Sequence, residues 1–519
     1  MLNSKEFFSK NRNTFLLQAI LAIGVGLRVF RLDYQSFWND ELVTLKNIGV
    51  SFVQLITQPR DPNIMPLFYS IIHPLKGLEN QEFWLRLVPM VFGCITIILV
   101  FFVGRKLLGK RAGLLGALLV AISPFHIWYS QEARPYALLI MVSLLSVLLL
   151  QYLMKNDSRL LPKIAFIFVT AVLFYSHPVG IAFIGFEATY LLLNERKRWK
   201  EWLLVFGCVG LLLLPGLYRM LIISPDASAN TYYVFNPFAI AYTGWAFGTG
   251  YSLGPNMVEL HMPGRTDMLF SYLPLIAPVM IVYFTLFVLG FVQLYQKGGS
   301  VLCFATFWLI FPIAFAVLGS IYSVHPFNVR YAILAFPAFV LIIASGIHGL
   351  NKGWLRSLVL IFLCVISFWS LKGYFFNEEY HRENNRAAGE FLTEHSKQGD
   401  LIIGTAAYTI KNLKYYYRGN HDLTFVGYPS SRVSYTNGSE VPGALFVNEK
   451  SLETELMNII ANKDSFWLFL SRTFHSDPYD NVRSFCKKNF SETQHGLWSG
   501  AELIRFEKKK QTQGSLNEK

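Results

Sequence analysis

The chain has 519 residues, of which 53% are hydrophobic, 16% aromatic and only 15% charged, against about 25% charged in an average soluble domain. A water-soluble protein of this length could not hide so much apolar surface, and the same figures exclude disordered, collagen-like and disulfide-scaffold classes. Lys and Arg outnumber Asp and Glu by 46 to 33, a net charge of +13, which in so apolar a chain is expected in basic loops on one side of a membrane rather than at a nucleic acid.

A helix of about 18 or more apolar residues can cross a hydrocarbon core of about 30 Å. Such stretches, with a few shorter ones, fall near 15–29, 87–104, 112–127, 135–154, 164–177, 179–194, 201–218, 269–294, 300–319, 329–349 and 354–372. They predict a polytopic α-helical membrane protein with about eleven transmembrane helices. The first stretch follows a basic start (Lys5, Lys10, Arg12) and has no small-residue cleavage site, so it reads as an uncleaved span. The fifth and sixth share a tight turn at His177–Pro178.

Charge orients these spans. Arg105, Lys106, Lys110 and Arg111, then Lys155, Arg159 and Lys163, then Arg196, Lys197, Arg198 and Lys200, then Lys297, and finally Lys352 and Arg356 all lie in loops on one side. The short loops on the other side hold only Arg134 and Arg330. By the positive-inside rule the N-terminus is cytoplasmic, and the loops 32–86 and 219–268 face outward, as does everything after residue 373. The expected location is the cell membrane, with the chemistry on the extracytoplasmic side.

Hydropathy drops sharply at Asn377. Residues 1–375 read as the membrane domain, 376–507 as a small soluble α/β domain, and 508–519 as a polar, disordered tail. Within the soluble part a helical pattern at 383–396 leads to Gly399–Asp400 and a strand-like run, Leu401–Ile403. A Tyr-rich helix (Asn412–Tyr417), a helix at 451–463 and the run Ser465–Leu470 follow. Of the five cysteines, Cys94, Cys208, Cys303 and Cys364 sit in apolar runs and Cys486 does not; none has metal-ligand spacing, so packing is their expected role.

The first outward loop opens with Trp38-Asn-Asp40-Glu41. After it, Leu42 to Ile56 carries apolar residues at near-helical spacing and predicts a helix lying on the membrane surface. Asp40 and Glu41 could simply cap that helix, since acids favour a helix N-terminus. The same helix start could also hold a catalytic carboxylate rigidly. Arg86, Arg134 and Arg330 each stand at the outward end of a span. Any one could snorkel to the interface; three together would suit a phosphate, to which Arg offers a planar donor fork. Gln131, Glu132, Arg134 and Tyr136 concentrate polar groups between two spans, and His126 and His177 lie near the same face. A lone interfacial histidine is more often a hydrogen-bonded structural residue. No HExxH, CxxC, Walker or GxGxxG pattern supports a metalloprotease, redox or nucleotide site.

On these residues the chain resembles the bacterial membrane glycosyltransferases of family 39 type, relatives of the protein O-mannosyltransferases and lipid A aminoarabinose transferases in the GT-C superfamily. The resemblance rests on Trp38-Asn-Asp40-Glu41, Pro66-Leu-Phe-Tyr69, Arg86-Leu-Val-Pro89 with Gly93, Gly104-Arg-Lys-Leu-Leu-Gly109 and Ser123-Pro124. Tyr129-Ser-Gln-Glu-Ala-Arg-Pro-Tyr136 is its most specific part, and Arg330-Tyr331 before Pro337 completes the series. Asn63-Ile-Met65-Pro66 stands where the family often has His-Pro-Pro, and no Arg closely follows the acidic pair.

The resemblance implies transfer of a sugar from a polyprenyl-phosphate-linked donor to a hydroxyl acceptor on the outer face, with inversion. Asp40 would be the base, and Glu41 would position the acceptor or support Asp40. Arg134, Arg330 and Arg86 would bind the donor phosphate. Gln131, Glu132, Tyr136, Tyr69, His177 and Tyr331 would shape the substrate site. Some GT-C relatives use a divalent metal; no closed ligand set here names one, and no other cofactor is called for. A transporter or flippase of polyprenyl-linked sugars is the competing class, but it would favour broken helices and internal repeats, and the sequence carries no repeat.

Overall fold

The computed structural model describes residues 4–58, 64–155, 159–222, 236–261, 265–322, 327–429, 447, 449–461 and 463–509. The chain divides into two compact units. Met1–Tyr34, Val43–Pro255 and Leu269–Asn377 form the first; Gln35–Leu42, Asn256–Met268 and Glu378–Lys519 form the second.

The first unit is helical. Among the described residues, 7 helices are long and apolar enough to cross a membrane: Gln81–Leu108, Tyr136–Leu153, Arg196–Ile222, Leu273–Lys297, Gly299–Ile321, Val329–Gly349 and Gly353–Phe376. An eighth arises if Lys110–Ile122 and Pro124–Ser130, bent by 61°, make one span, and Asn13–Val29, Leu160–Ser176 and Gly180–Asn194 are shorter apolar helices. Each stretch picked out by hydropathy overlaps these helices, although 269–294 begins in a separate short helix, Arg265–Ser271.

Local chemistry explains where the helices depart from the hydropathy pattern. The stretch 112–127 bends because Ser123 precedes Pro124, which disfavours helical dihedrals at Ser123 (φ −65°, ψ 118°). The Ser123 hydroxyl then caps the new helix by accepting from the His126 N–H at 3.2 Å. The single helix expected over Leu42–Ile56 is two, Asn39–Ile48 and Phe52–Thr57. The second restarts on a capping box between Ser51 and Gln54. The span at 329–349 begins as a 3-10 turn, Val329–Ala335, before the α-helix Phe336–Gly349.

Burial sorts the helices. Val329–Gly349 is 89% buried and Leu273–Lys297 only 17% over the apolar window. Leu211, Leu214, Ile281 and Phe284 are exposed on the peripheral helices. A soluble protein rarely exposes that much contiguous apolar surface; a bilayer covers it without cost. Inside, small residues let helices touch backbone to backbone. A Cβ on Gly346 would lie 2.0 Å from the Leu286 carbonyl, and one on Gly290 would lie 2.2 Å from that of Ile342.

The second unit holds a five-stranded sheet of order β2-β1-β3-β5-β4, built from β1 (Leu401–Thr405), β2 (Thr424–Tyr428), β3 (Ser465–Ser471), β4 (Phe490–Trp498) and β5 (Ala501–Lys508). β1 pairs parallel with β2 and β3, while β5 runs antiparallel to β3 and β4. Strand alternation makes two cores. Leu401, Ile403, Phe466, Leu468 and Leu470 pack with Leu452, Leu456, Val482 and Cys486 on one face. Ile402, Trp467 and Phe469 pack with Ala388, Leu392 and Leu413 on the other. The unit is therefore a small three-layer α/β domain. Two of its features depart from expectation. The hairpin of β4 and β5 closes on Ser499 and Gly500 (φ +60°), and Lys508 ends a strand rather than starting the tail, its N–H bonded to the Asp464 carbonyl at 3.0 Å. Residues 510–519 of the expected tail lie outside the described residues.

Candidate active site

The acidic motif belongs to the second unit. The division between units falls inside the helix Asn39–Ile48, between Leu42 and Val43. Asp40 and Glu41 occupy the first turn of that helix, where the helix dipole favours negative charge. Their surroundings differ. Glu41 is fully buried and accepts from Arg382 Nη1 at 3.3 Å, with both side chains out of solvent. Asp40 is half-buried. A simple cap would leave both acids at the surface, so capping alone does not account for Glu41.

The segment before the helix is tied into the C-terminal α/β domain. Ser36 Oγ donates to the Glu383 carbonyl at 2.8 Å, and the Tyr416 hydroxyl accepts from the Phe37 N–H at 2.7 Å. The Asn385 N–H reaches Ser36 Oγ at 3.1 Å, and the Arg382 N–H reaches Gln35 Oε1 at the same distance. Two guanidiniums lie near the Trp38 ring, with Arg382 4.9 Å and Arg472 5.8 Å from its centroid. Arg472 Nη1 also pairs with Glu383 at 3.2 Å. Burial pulls the Arg472 pKa down, but Glu383, Tyr408 and Asp40 together raise it above its ordinary value. Burial pushes Tyr408 up to about 12, opposed by Arg472 and reinforced by Glu383 and Asp40. Tyr408 is hydrogen-bonded to His475 Nδ1.

The first unit gathers most of the other sequence candidates. Arg134, almost buried, donates from Nη1 to the Tyr69 hydroxyl at 3.1 Å. The Tyr136 and His177 rings are 5.6 Å apart, and His177 lies 6.4 Å from Tyr331, over which Arg330 sits at 5.5 Å. The charges of both Arg134 and Arg330 act on His177. Glu132 is buried, and its charge acts on Tyr129 and Tyr251. Arg134, Arg330, Tyr69, Tyr136, His177 and Tyr331 thus form one polar and aromatic cluster.

Two candidates have structural duties. Gln131 Nε2 donates to the carbonyls of Arg28 at 2.8 Å and Phe30 at 2.9 Å, fastening the end of the first helix. Arg86 Nη1 donates to the Leu32 carbonyl at 3.1 Å. His126 is fully buried and receives Arg28 Nη2 on Nδ1 at 2.8 Å, the structural role expected of it.

Sequence reasoning missed Arg28, Arg382, Arg472 and Tyr408. Arg28 is buried and also bonds the Gly24, Ala121 and Val120 carbonyls, each at 2.9 Å. A cation inside the first apolar stretch was the available signal. The other three had no local signal. Among the described residues no three His, Cys, Asp or Glu side chains gather as metal ligands.

Comparison with known proteins follows from this architecture. A family model described as dolichyl-phosphate-mannose-protein mannosyltransferase matches residues 61–218. Among the curated proteins none matches the sequence. ArnT from Cupriavidus metallidurans, crystallised bound to undecaprenyl phosphate, superposes with a TM-score of 0.54 at 13% identity, over 95% of this chain and 98% of that one. The chain has the GT-C fold. The oligosaccharyltransferase of Archaeoglobus fulgidus in its apo form aligns with a TM-score of 0.56 at 12% identity, over 97% of this chain and 75% of that one. The archaeal oligosaccharyltransferase AglB from the same organism, in complex with an inhibitory peptide and a dolichol-phosphate, gives 0.53, again at 12% identity, over 96% and 74%. At these identities the likeness is one of fold, over nearly the whole of this chain.

Proposed function

We propose that the chain is a membrane glycosyltransferase that moves a sugar from a polyprenyl-phosphate donor to a hydroxyl acceptor at the outer face of the cell membrane, with inversion. The observation that carries this reading is the split environment of the acidic pair. Glu41 is buried and neutralised by Arg382, while Asp40 next to it keeps partial access to solvent. One carboxylate is enclosed in a buried ion pair, and the other lies closer to solvent, where an acceptor hydroxyl could reach it. The family-model match and the lipid phosphates held by ArnT and AglB support a lipid-phosphate donor.

In this reading Asp40 removes the proton of the acceptor hydroxyl as its oxygen bonds to the anomeric carbon. The bond from that carbon to the phosphate oxygen breaks, and the electron pair leaves with the lipid phosphate. Arg134 and Arg330 stabilise the charge growing there, the kind of contribution that often dominates catalysis. Arg134 is pre-aimed by Tyr69, which cuts the cost of ordering its long side chain. Tyr136, His177 and Tyr331 give the sugar aromatic walls, and Glu132 sets the local charge. Gln131 and Arg86 hold the end of the first helix in place.

The test is transfer by the purified full-length protein in detergent, supplied with radiolabelled polyprenyl-phosphate sugars and hydroxyl acceptors. Labelled acceptor is expected. Lipid movement across liposomes without any transfer would replace the enzyme with a flippase. Single-cysteine labelling of intact cells at Asp33 and Lys397 with an impermeant reagent checks the side; both are expected to react without lysis.

A further inference from the structure

A carboxyl group that these roles leave unused lies inside the first unit. Glu187 stands on the apolar helix Gly180–Asn194 and is fully buried. Ser146, on the helix that begins at Tyr136, donates from Oγ to Glu187 Oε1 at 2.7 Å. Thr170, on the helix that ends just before His177, faces Glu187 Oε2 from Oγ1 at 3.5 Å, and the two hydroxyl oxygens are 3.1 Å apart. Ser146 and Thr170 are closed to solvent as well. The three side chains make a triangle that joins three helices. Lys163 is the one Lys or Arg on those helices, and its Nζ pairs with Glu201 at 2.7 Å. The helices packed against them, Gln81–Leu108, Trp199–Ile222 and Gly299–Tyr322, bring Arg86, Arg105, Lys106, Lys200 and Arg219, and the turn Val329–Ala335 brings Arg330. Among the described residues none of these cations pairs with Glu187. A carboxylate without a cation is among the costliest groups to hold in a low-dielectric interior, and such a group takes a proton instead.

The hydrogen bonds need the same proton. A hydroxyl carries one donor proton, a carboxylate none and a carboxylic acid one. With Glu187 ionised, the Thr170 proton has two calls on it. Pointed at Oε2, it leaves the Ser146–Thr170 contact as two facing lone pairs; pointed at Ser146, it leaves the charge on Oε2 without a donor. With a proton on Oε2 the ring closes. Glu187 then donates to Thr170, Thr170 to Ser146, and Ser146 back to Oε1. We propose that Glu187 is an un-ionised acid in the folded protein at neutral pH, and that its closed ring with Ser146 and Thr170 positions the helices whose ends present Tyr136 and His177. Those two rings stand 5.6 Å apart. The turn at His177 is fixed by itself: the Val179 N–H donates to His177 Nδ1 at 3.2 Å, and a Cβ on Gly180 would lie 2.4 Å from the Leu173 carbonyl oxygen. The ring ties the helix of Tyr136 to that hairpin. The second half of the inference rests on the reading of Tyr136 and His177 as walls of the sugar site.

Infrared difference spectroscopy of the full-length protein in detergent at neutral pH tests the first half without turnover. The unmodified protein minus Glu187→Gln should show the carbonyl band of a carboxylic acid and no carboxylate band. Ser146→Ala should move the acid band to higher frequency, because its C=O loses a donor. A carboxylate band in place of the acid band marks an ionised or cation-bound group and overturns the inference. The second half is read from sugar transfer. Glu187→Leu keeps the bulk of the side chain and has neither donor nor acceptor. It should lower kcat/KM for the donor lipid by about tenfold or more, since misplacement by about 1 Å can cost about 10²-fold. Glu187→Gln keeps one donor and one acceptor and should recover most of that loss. An equal loss in both variants, or none in either, overturns the positioning role. If Glu187→Leu does not fold, Thr170→Val takes its place by removing one edge of the ring: a loss of about tenfold supports the role, and unchanged transfer overturns it. An unmodified protein that shows the acid band and transfers no sugar sinks the glycosyltransferase reading and leaves the protonated ring standing.

Discussion

Arg382 reaches across 341 positions of sequence to donate from Nη1 to the Glu41 carboxylate at 3.3 Å. Neither side chain is open to solvent, and the pair fastens the acidic motif within the second unit. Breaking a buried pair by removing one partner leaves an uncompensated charge, at a cost of about 3 kcal/mol. Glu41→Gln and Arg382→Met should therefore each lower the unfolding temperature by several degrees. The double variant should be more stable than the sum of the two single losses implies. Thermal unfolding of the detergent-solubilised protein measures all three; strictly additive losses would show that the contact carries no coupling energy.

Asp40→Asn keeps the size of the side chain and removes its basicity. General-base help is worth about 10²–10⁴-fold, so turnover should fall by at least about 100-fold while the unfolding temperature barely moves. The contrast with Glu41→Gln, which should act on stability, separates the two acids. If Glu41→Gln abolishes transfer in a fully stable protein while Asp40→Asn works normally, the roles are reversed.

The hydroxyl of Tyr69 positions Arg134 through a 3.1 Å bond. A hydrogen bond to a charged group contributes about 1.5–3 kcal/mol, so Tyr69→Phe should reduce kcat/KM for the donor by about tenfold or more. Arg134→Ala and Arg330→Ala should cost more, and Arg→Lys at either position should restore only part, because Lys keeps the charge and loses the fork. Steady-state kinetics at limiting donor is the measurement. Normal donor use by both alanine variants would leave the two arginines as interfacial anchors.

His475 is lowered from its ordinary 6.5 to about 3, first by burial and then by Arg472 and His261. It is neutral in the folded protein, whereas the unfolded chain takes up a proton as the pH falls below about 6.5. Stability therefore falls as the pH is lowered from about 6.5 towards 3. Replacing the ring with a side chain that cannot titrate removes this contribution. His475→Asn should give a flatter plot of unfolding temperature against pH over that range, and an unchanged slope would mean that other groups govern acid sensitivity.

What was legible in the sequence was whatever depends on neighbours along the chain. Apolar run length placed the membrane helices, because a segment either can or cannot cross the hydrocarbon on its own composition. Apolar runs marked β1 and β3, Asp40 and Glu41 stood out as adjacent acids at a helix start, and Arg134 and Arg330 as cations on the side whose short loops hold few. The β4–β5 hairpin was within reach, since Ser499-Gly500 is a turn signal between two alternating runs. The bend at Ser123–Pro124 was readable from the proline but not its size of 61°, which depends on what the second helix packs against. The partners of the acidic pair were not readable at all. Arg382 and Arg472 look like any surface arginines of an α/β domain, and only the folded chain, which brings Gln35–Leu42 into one unit with the C-terminal residues, decides that one pairs with Glu41 and the other with Glu383. Hydropathy is a property of a segment and is written where the segment is; the partner of a buried charge is a property of the tertiary fold and is written in neither residue's neighbourhood.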